Sequence, residues 1–274
     1  MKKQMITKNI MGKRVASKKV VNKKVVEKKP ADKKASKVQG ELIYGVHPIV
    51  QMLKAKRRKI YQIYTTKPMP KAWKDIEPLL APRTPIQYVS REILAKMVNS
   101  DDHQGVVAWV QSYPYRKQFF DVKKHPFLVM LDGVQDVRNL GAIIRSSYCT
   151  GVNGIIICSK SGAPVNAAAI KASAGLAECL EIYEAASPVS AIHDLKKAGY
   201  SVYLTTFDGK DARDVTYTEP LCVVIGSEGF GVSKSIFDMG TRITLAQRTD
   251  DISYNASVAA GIILFLAGTQ NKKI

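Results

Sequence analysis

The stretch Phe127-Leu128-Val129-Met130-Leu131-Asp132-Gly133-Val134-Gln135-Asp136-Val137-Arg138-Asn139-Leu140-Gly141-Ala142-Ile143-Ile144-Arg145 decides the fold. Its uninterrupted apolar opening, 127–131, suits a strand buried on both faces, and the polar turn that follows ends it. Beyond the turn the pattern becomes helical, with Asn139 read as the helix N-cap and Arg145 six residues further in. Six residues sweep about 600°, so the two side chains need not share a face. A cap with a solvated arginine and a functional pair both fit these residues.

Working outward toward the C-terminus, further apolar runs at 154–158, 180–183, 201–205 and 221–225 alternate with helical segments, and a last helix is expected over about 256–267. Continuous apolar strands separated by helices imply an α/β fold with a parallel sheet covered on both faces. Ligands of such sheets bind beyond the carboxyl ends of the strands, here the loops that start near Asp132, Thr206 and Gly226. Working toward the N-terminus, the segment 112–126 carries Pro114, Pro126 and no clear period, and reads as a linker. Before it, expected strands at 42–44, 60–65, 86–89 and 106–110 with helices at 47–54, 72–80 and 91–98 make a small α/β sandwich.

The first 38 residues hold fourteen Lys or Arg against Glu27 and Asp32, so +12 of the chain's +19 sits there. Such a segment cannot bury enough apolar surface to offset its ordering entropy, and it is expected to be a disordered Lys-rich tail. It is a solubilising extension or a nonspecific RNA-binding arm. A mitochondrial presequence is also basic and poor in acids, but it favours Arg and Ser, whereas this segment is rich in Lys with one Arg, so mitochondrial import is the lesser alternative to a cytoplasmic location. The expected division is therefore 1–38 tail, 39–111 small domain, 112–126 linker and 127–274 main domain. The net charge favours a polyanionic partner through phosphate contacts.

Cys149, Cys158, Cys179 and Cys222 form no C-x-x-C pair and have no nearby His at zinc-ligand spacing, so no metal site is expected. Each lies in or beside an apolar segment and reads as a reduced, buried thiol of a cytoplasmic protein. No apolar run approaches the roughly 18 residues of a membrane span, and no membrane partner is expected.

Two further segments could carry chemistry. Ile225-Gly226-Ser227-Glu228-Gly229-Phe230-Gly231 follows a strand and precedes an expected helix. Its G-x-x-G-x-G spacing is not the dinucleotide fingerprint and comes too late in the chain to open a nucleotide-binding half, which disfavours a nucleotide-dependent doubly wound enzyme. A carboxylate among glycines at a strand's end nevertheless suits a ligand approached by backbone. The last segment is Ile243-Thr244-Leu245, a polar loop, and Ser253-Tyr254-Asn255-Ala256. Ser253 or Asn255 would cap the closing helix, and that alone could account for both.

Together, in this order, the three segments resemble the three motifs of the SpoU (TrmH-like) RNA 2′-O-ribose methyltransferases of the SPOUT superfamily, over about 127–274. Ile43-Tyr44-Gly45-Val46-His47-Pro48 and His103-Gln104-Gly105-Val106-Val107-Ala108 resemble the accessory domain of the group that modifies a guanosine of large-subunit ribosomal RNA. That domain is similar to a small ribosomal-protein-like RNA binder. The resemblance implies a C-terminal domain tied in a deep trefoil knot, a rare exception to unknotted topology, and a homodimer whose target ribose is reached from both subunits. It implies S-adenosyl-L-methionine as cofactor, held largely through the backbone at Thr205, Thr206, Gly226, Leu245 and Tyr254. It places the family's catalytic positions at Asn139, Arg145, Glu228, Ser253 and Asn255, all present here. The chain departs from the family pattern at Tyr254, usually Leu, and at Ala246, often Pro. Methyl transfer from a sulfonium is an in-line displacement that needs alignment and loss of the hydroxyl proton, so Arg145 is either the base or a phosphate clamp. The alternatives are a tRNA 2′-O-methyltransferase and a noncatalytic ribosome-associated RNA binder; the latter should have lost some of the five positions.

Overall fold

The computed structural model describes residues 39–160, 162–249 and 252–274. The expected Lys-rich tail, 1–38, lies outside the described residues. Ten strands and six α-helices form two sheets among the described residues. In the first sheet, β1 (Gly40–Tyr44), β4 (Val106–Gln111), β2 (Ile60–Thr65) and β3 (Ile86–Tyr88) lie in that order, with α1 (Val46–Ala55) and α2 (Arg91–Val98) between them in sequence. Its pairs are antiparallel except β2 with β3. Ser90 caps α2 by accepting from the Ile93 amide, the role expected of a hydroxyl before an apolar period. The expected helix at 72–80 is instead two 3₁₀ turns, Lys71–Asp75 and Glu77–Leu79. Pro78 has no amide proton to donate to an α-helical ladder across this segment.

The second sheet has six strands in the order β10 (Thr241–Thr244), β8 (Ser201–Asp211), β9 (Leu221–Gly226), β5 (Phe127–Asp132), β6 (Gly154–Cys158) and β7 (Glu181–Ala185). Every pairing in it is parallel. Central β5 and β9 are buried along their whole length, as covering on both faces requires. On one side α3 (Val137–Cys149), α4 (Ala167–Ala172) and α6 (Ala256–Gln270) contribute Leu140, Ile143, Ile170 and Leu264 to the core; on the other α5 (Pro188–Ala198) packs Ile192 and Leu195 against Ile156 and Val224. Each such side chain contributes about 1.5–3 kcal/mol by leaving water.

One apolar core continues from Ile43 and Ile49 beneath the first sheet to Val129 and Leu264 of the second. The segment 112–126 that joins the sheets is packed along its course: Tyr113 donates to the Ala177 carbonyl at 2.7 Å, and the Arg116 amide donates to the Ile182 carbonyl at 2.8 Å. Arg58, with its side chain fully buried, donates to the Glu178 carboxylate at 2.7 Å and to the Gln111 carbonyl at 2.7 Å, and also pairs with Glu41. Of the cysteines, Cys158 and Cys222 are buried as expected, whereas Cys149 and Cys179 are exposed, because the end of α3 and the turn after α4 turn those positions outward. No helix among the described residues is long and apolar enough to cross a membrane.

Candidate active site

β5 ends in Asp132, a carboxylate only 2% exposed. It accepts from the Ser233 amide at 2.6 Å and from the Ser233 hydroxyl at 2.9 Å, so the end of β5 grips the segment after β9. The expectation that Asn139 caps α3 is corrected here. Asp136 is the cap, accepting from the Arg138 amide at 2.8 Å, and the helix begins at Val137, three residues earlier than the reading from Asn139 implied. An aspartate caps as well as an asparagine does, and Asp136 stands three residues before Asn139 in the same polar turn. Freed from that role, the Asn139 amide donates to a Glu228 carboxylate oxygen at 2.7 Å.

Glu228 stands in a tight turn closed by reciprocal backbone bonds between Ser227 and Gly231, at 2.9 and 3.0 Å. A Cβ on Gly226 would lie 2.1 Å from the Gly231 carbonyl carbon, so only glycine lets the strand's end meet the turn's return. The helix expected after this turn is a short 3₁₀ segment, Lys234–Ile236.

β10 pairs with β8 in two pieces, Arg242 with Leu204 and then Ile243 with Lys210. Residues 205–209 are skipped in that ladder and bulge toward the sheet's carboxyl edge, so β8 does not end at Thr205 as the sequence suggested. Between this bulge, the Glu228 turn and the start of α6 lies a cleft of about 100 Å³ that opens to solvent. Thr205, Thr206, Gly226, Leu245 and Tyr254 all line it, together with Glu228 and Ser253. Thr206 has a buried hydroxyl with no hydrogen-bond partner, a polar atom that a ligand could satisfy. Among the described residues Glu228 is the one charged side chain in the lining.

The remaining expected positions are placed differently. Asn255 is the cap of α6, accepting from the Ser257 amide at 2.9 Å and the Ser257 hydroxyl at 2.6 Å. Arg145 is exposed on α3 and does not line the cleft; it stands about 9 Å along the helix from Asn139 at 1.5 Å per residue. The two departures from the family pattern meet each other, the Tyr254 hydroxyl reaching the Ala246 carbonyl at 3.5 Å across the polar loop. Phe207, Thr244 and Gln247 also line the cleft and were not singled out from the sequence; the bulge that turns Phe207 there has no local signature. His103 and Gln104 are structural: His103 Nδ1 accepts from the Gly105 amide at 2.9 Å, and Gln104 Oε1 accepts from the Val46 amide at 2.9 Å.

The chain resembles known proteins in both sequence and fold. Residues 126–265 match the model of the SpoU rRNA methylase family, and residues 42–116 match that of the RNA 2′-O ribose methyltransferase substrate-binding domain. The chain is 30% identical, over 83% of its length and 94% of the relative, to YacO of Bacillus subtilis (strain 168), a protein provisionally named as a TrmH family tRNA/rRNA methyltransferase. It is 28% identical, over 85% of its length and 98% of the relative, to the 23S rRNA (guanosine-2′-O-)-methyltransferase RlmB of Shewanella oneidensis. Among solved structures it resembles an RNA 2′-O ribose methyltransferase with a TM-score of 0.76 at 19% identity, covering 86% of this chain and 90% of that one. It also resembles the SpoU methyltransferase AviRb of Streptomyces viridochromogenes, solved with AdoMet, with a TM-score of 0.73 at 22% identity, covering 85% and 91%. Sequence motifs, sheet order and family match converge, and the chain belongs to the SpoU rRNA methylase family.

Proposed function

We propose that this chain transfers the methyl group of S-adenosylmethionine to a ribose 2′-hydroxyl of structured RNA, with a guanosine of cytoplasmic large-subunit ribosomal RNA as the favoured target. The observation that carries the proposal is the cleft at the sheet's carboxyl edge, which all five expected cofactor positions line. Its partner-less Thr206 hydroxyl, its apolar floor at Ile225 and Ile263 and its single carboxylate fit a ligand that combines an adenosine with a cation. Thr205, Thr206, Gly226, Leu245 and Tyr254 would hold it. S-adenosylmethionine, when bound, supplies a sulfonium-activated methyl group.

The chain's own residues align the acceptor. Asn139 fixes the Glu228 carboxylate at the mouth of the cleft, where it can orient a ribose hydroxyl, and Ser253 offers a second hydroxyl partner. Asn255 acts through the α6 cap, which sets where Ser253 and Tyr254 stand. Arg145 is assigned to a backbone phosphate beside the target ribose. A free guanidinium has a pKa above about 12 and is a poor base, whereas its planar fork suits bidentate phosphate binding. Its exposure, outside the cleft of its own chain, suits RNA reached from a second subunit. Val258, Ile262 and Phe265 are exposed on α6, and Tyr148 on α3; the α6 residues recur at helical spacing and form an apolar stripe that a homodimer would cover.

The knot implied by the resemblance is assigned to the region where β10 pairs with the bulged β8. There a Cβ on Gly209 would lie 2.4 Å from the Ile243 amide nitrogen, so the two segments pass in contact. The division into a substrate-reading domain at 39–111, a linker at 112–126 and a catalytic domain at 127–274 follows the same reading, with the first sheet as the ribosomal-protein-like RNA binder. The target class is decided by offering the protein labelled S-adenosylmethionine with unmodified large-subunit rRNA and, separately, bulk tRNA. Label in the rRNA supports the proposal. Label in tRNA alone moves the target to tRNA, and label in neither removes the activity.

A further inference from the structure

Phe230 is 96% exposed, more than any other large hydrophobic side chain among the described residues. The turn that presents it is nevertheless well fixed. Ser227 and Gly231 close it through two backbone bonds, and the Phe230 amide donates to the Ser227 hydroxyl at 3.3 Å. Asn139 holds the turn at Glu228 with a 2.7 Å bond, and Asp132 holds it at Ser233 with a 2.6 Å bond. The backbone that carries the ring is therefore fixed beside the cleft, next in sequence to Gly231 and two residues from Glu228 of its lining.

Its surroundings are polar. Glu228 and Lys234 are exposed along the same turn, and exposed Arg138 adjoins the Asn139 that anchors it. The apolar stripe suited to a second copy of the chain lies elsewhere, on α6. An exposed aromatic ring beside the cleft, with exposed Lys234 and Arg138 on the neighbouring segments, matches a partner with a flat π face and a nearby negative charge, which describes a nucleobase and its phosphate. Chemistry on a nucleotide inside folded RNA requires that nucleotide to leave its stack, and proteins compensate by offering aromatic rings.

We propose that Phe230 is the stacking platform for an unstacked RNA base at the methyl-accepting site, and that it selects unpaired nucleotides over paired ones. The proposal rests on the methyl-transfer reading above. In the full-length protein, Phe230→Leu keeps an apolar side chain and removes the π face, while Phe230→Trp keeps the face. With large-subunit rRNA transcribed in vitro, Phe230→Leu should raise KM for RNA by roughly tenfold to a hundredfold, the scale of one lost base stack. Phe230→Trp should stay within a few-fold of the parent, and calorimetric affinity for S-adenosylmethionine should not change in either. A second measurement does not depend on turnover: fluorescence anisotropy with an unpaired RNA oligonucleotide and with the same strand in a duplex. The parent should prefer the single strand, and Phe230→Leu should lose that preference. Parental KM and preference in Phe230→Leu overturn the proposal. So does a loss of self-association in that variant by sedimentation with RNA binding intact, which would make Phe230 a contact between copies. If the parent transfers no methyl group to rRNA or tRNA, the methyl-transfer reading fails, and the anisotropy result still decides the role of Phe230.

Discussion

The side-chain amide of Asn139 donates a 2.7 Å hydrogen bond to the carboxylate of Glu228, joining two motifs that lie 89 residues apart. It fixes the one charged group lining the cleft among the described residues. If this bond positions Glu228 for the acceptor ribose, Asn139→Ala and Glu228→Ala should each slow single-turnover methyl transfer by roughly tenfold to a hundredfold, as misplaced reacting groups do. The double variant should be little slower than the worse single one, because both remove the same contact. Multiplying effects would mean that the two residues act independently.

Arg145→Ala should abolish transfer while affinity for S-adenosylmethionine stays within a few-fold, since the side chain lies outside the cleft. Arg145→Lys keeps charge and loses the planar fork, so a bidentate phosphate role predicts a fall of about 100-fold. Lysine at near-parental rate would reduce the role to charge, and lost cofactor affinity in Arg145→Ala would make it a support of the pocket. Single-turnover assays on an RNA substrate beside calorimetry separate these outcomes.

The buried Arg58–Glu178 pair joins the two sheets across 120 residues. Glu178→Ala leaves the buried guanidinium with the partly exposed Glu41 as its remaining carboxylate partner, which should cost about 3–5 kcal/mol. For a chain of this size that lowers Tm by something on the order of 10 °C. Burial holds the Glu178 carboxyl above its ordinary value despite Arg58, so the ion pair is not optimised for stability. Replacing both partners, Arg58→Met with Glu178→Leu, should therefore destabilise less than Glu178→Ala alone. Thermal unfolding of the three proteins checks the order.

His103 is 2% exposed, and burial, helped by nearby Arg91, lowers its pKa below the ordinary 6.5. Its Nδ1 accepts from the Gly105 amide, so the folded protein favours the neutral ring. Below pH 6.5 the unfolded chain binds this proton first, so the contribution is complete above that value and is lost as pH falls toward the lower folded pKa. In His103→Asn, whose amide oxygen can accept the same bond, the decline of Tm between about pH 7 and about pH 5 should be shallower than in the parent. Equal slopes would show that His103 does not titrate on unfolding.

Much of this architecture is legible locally. Strands such as β5, β6 and β9 announce themselves as apolar runs, and α2 begins where Ser90 says it should. What escaped depends on distant chain. Asn139 looks like a cap in the sequence because its partner, Glu228, is not local, while Asp136, which does cap, sits in the same polar turn. The bulge in β8 that brings Phe207 to the cleft is set by where β10 pairs. The buried Arg58 stands in a basic run that looks solvated until Glu178 is placed beside it. The five cofactor positions were reached through motif resemblance, since neither propensity nor period singles out Thr206 or Leu245.

In the proposed reaction the methyl group is received by a ribose 2′-oxygen. Large-subunit rRNA labelled by this protein from methyl-labelled S-adenosylmethionine should be digested fully with alkali and the products separated. A 2′-O-methyl group blocks cleavage at its own phosphodiester, so label should appear in alkali-resistant dinucleotides, at an initial rate lower by roughly tenfold to a hundredfold when Glu228→Ala replaces the parent. Label recovered in ordinary mononucleotides, as a methylated base would give, would contradict it.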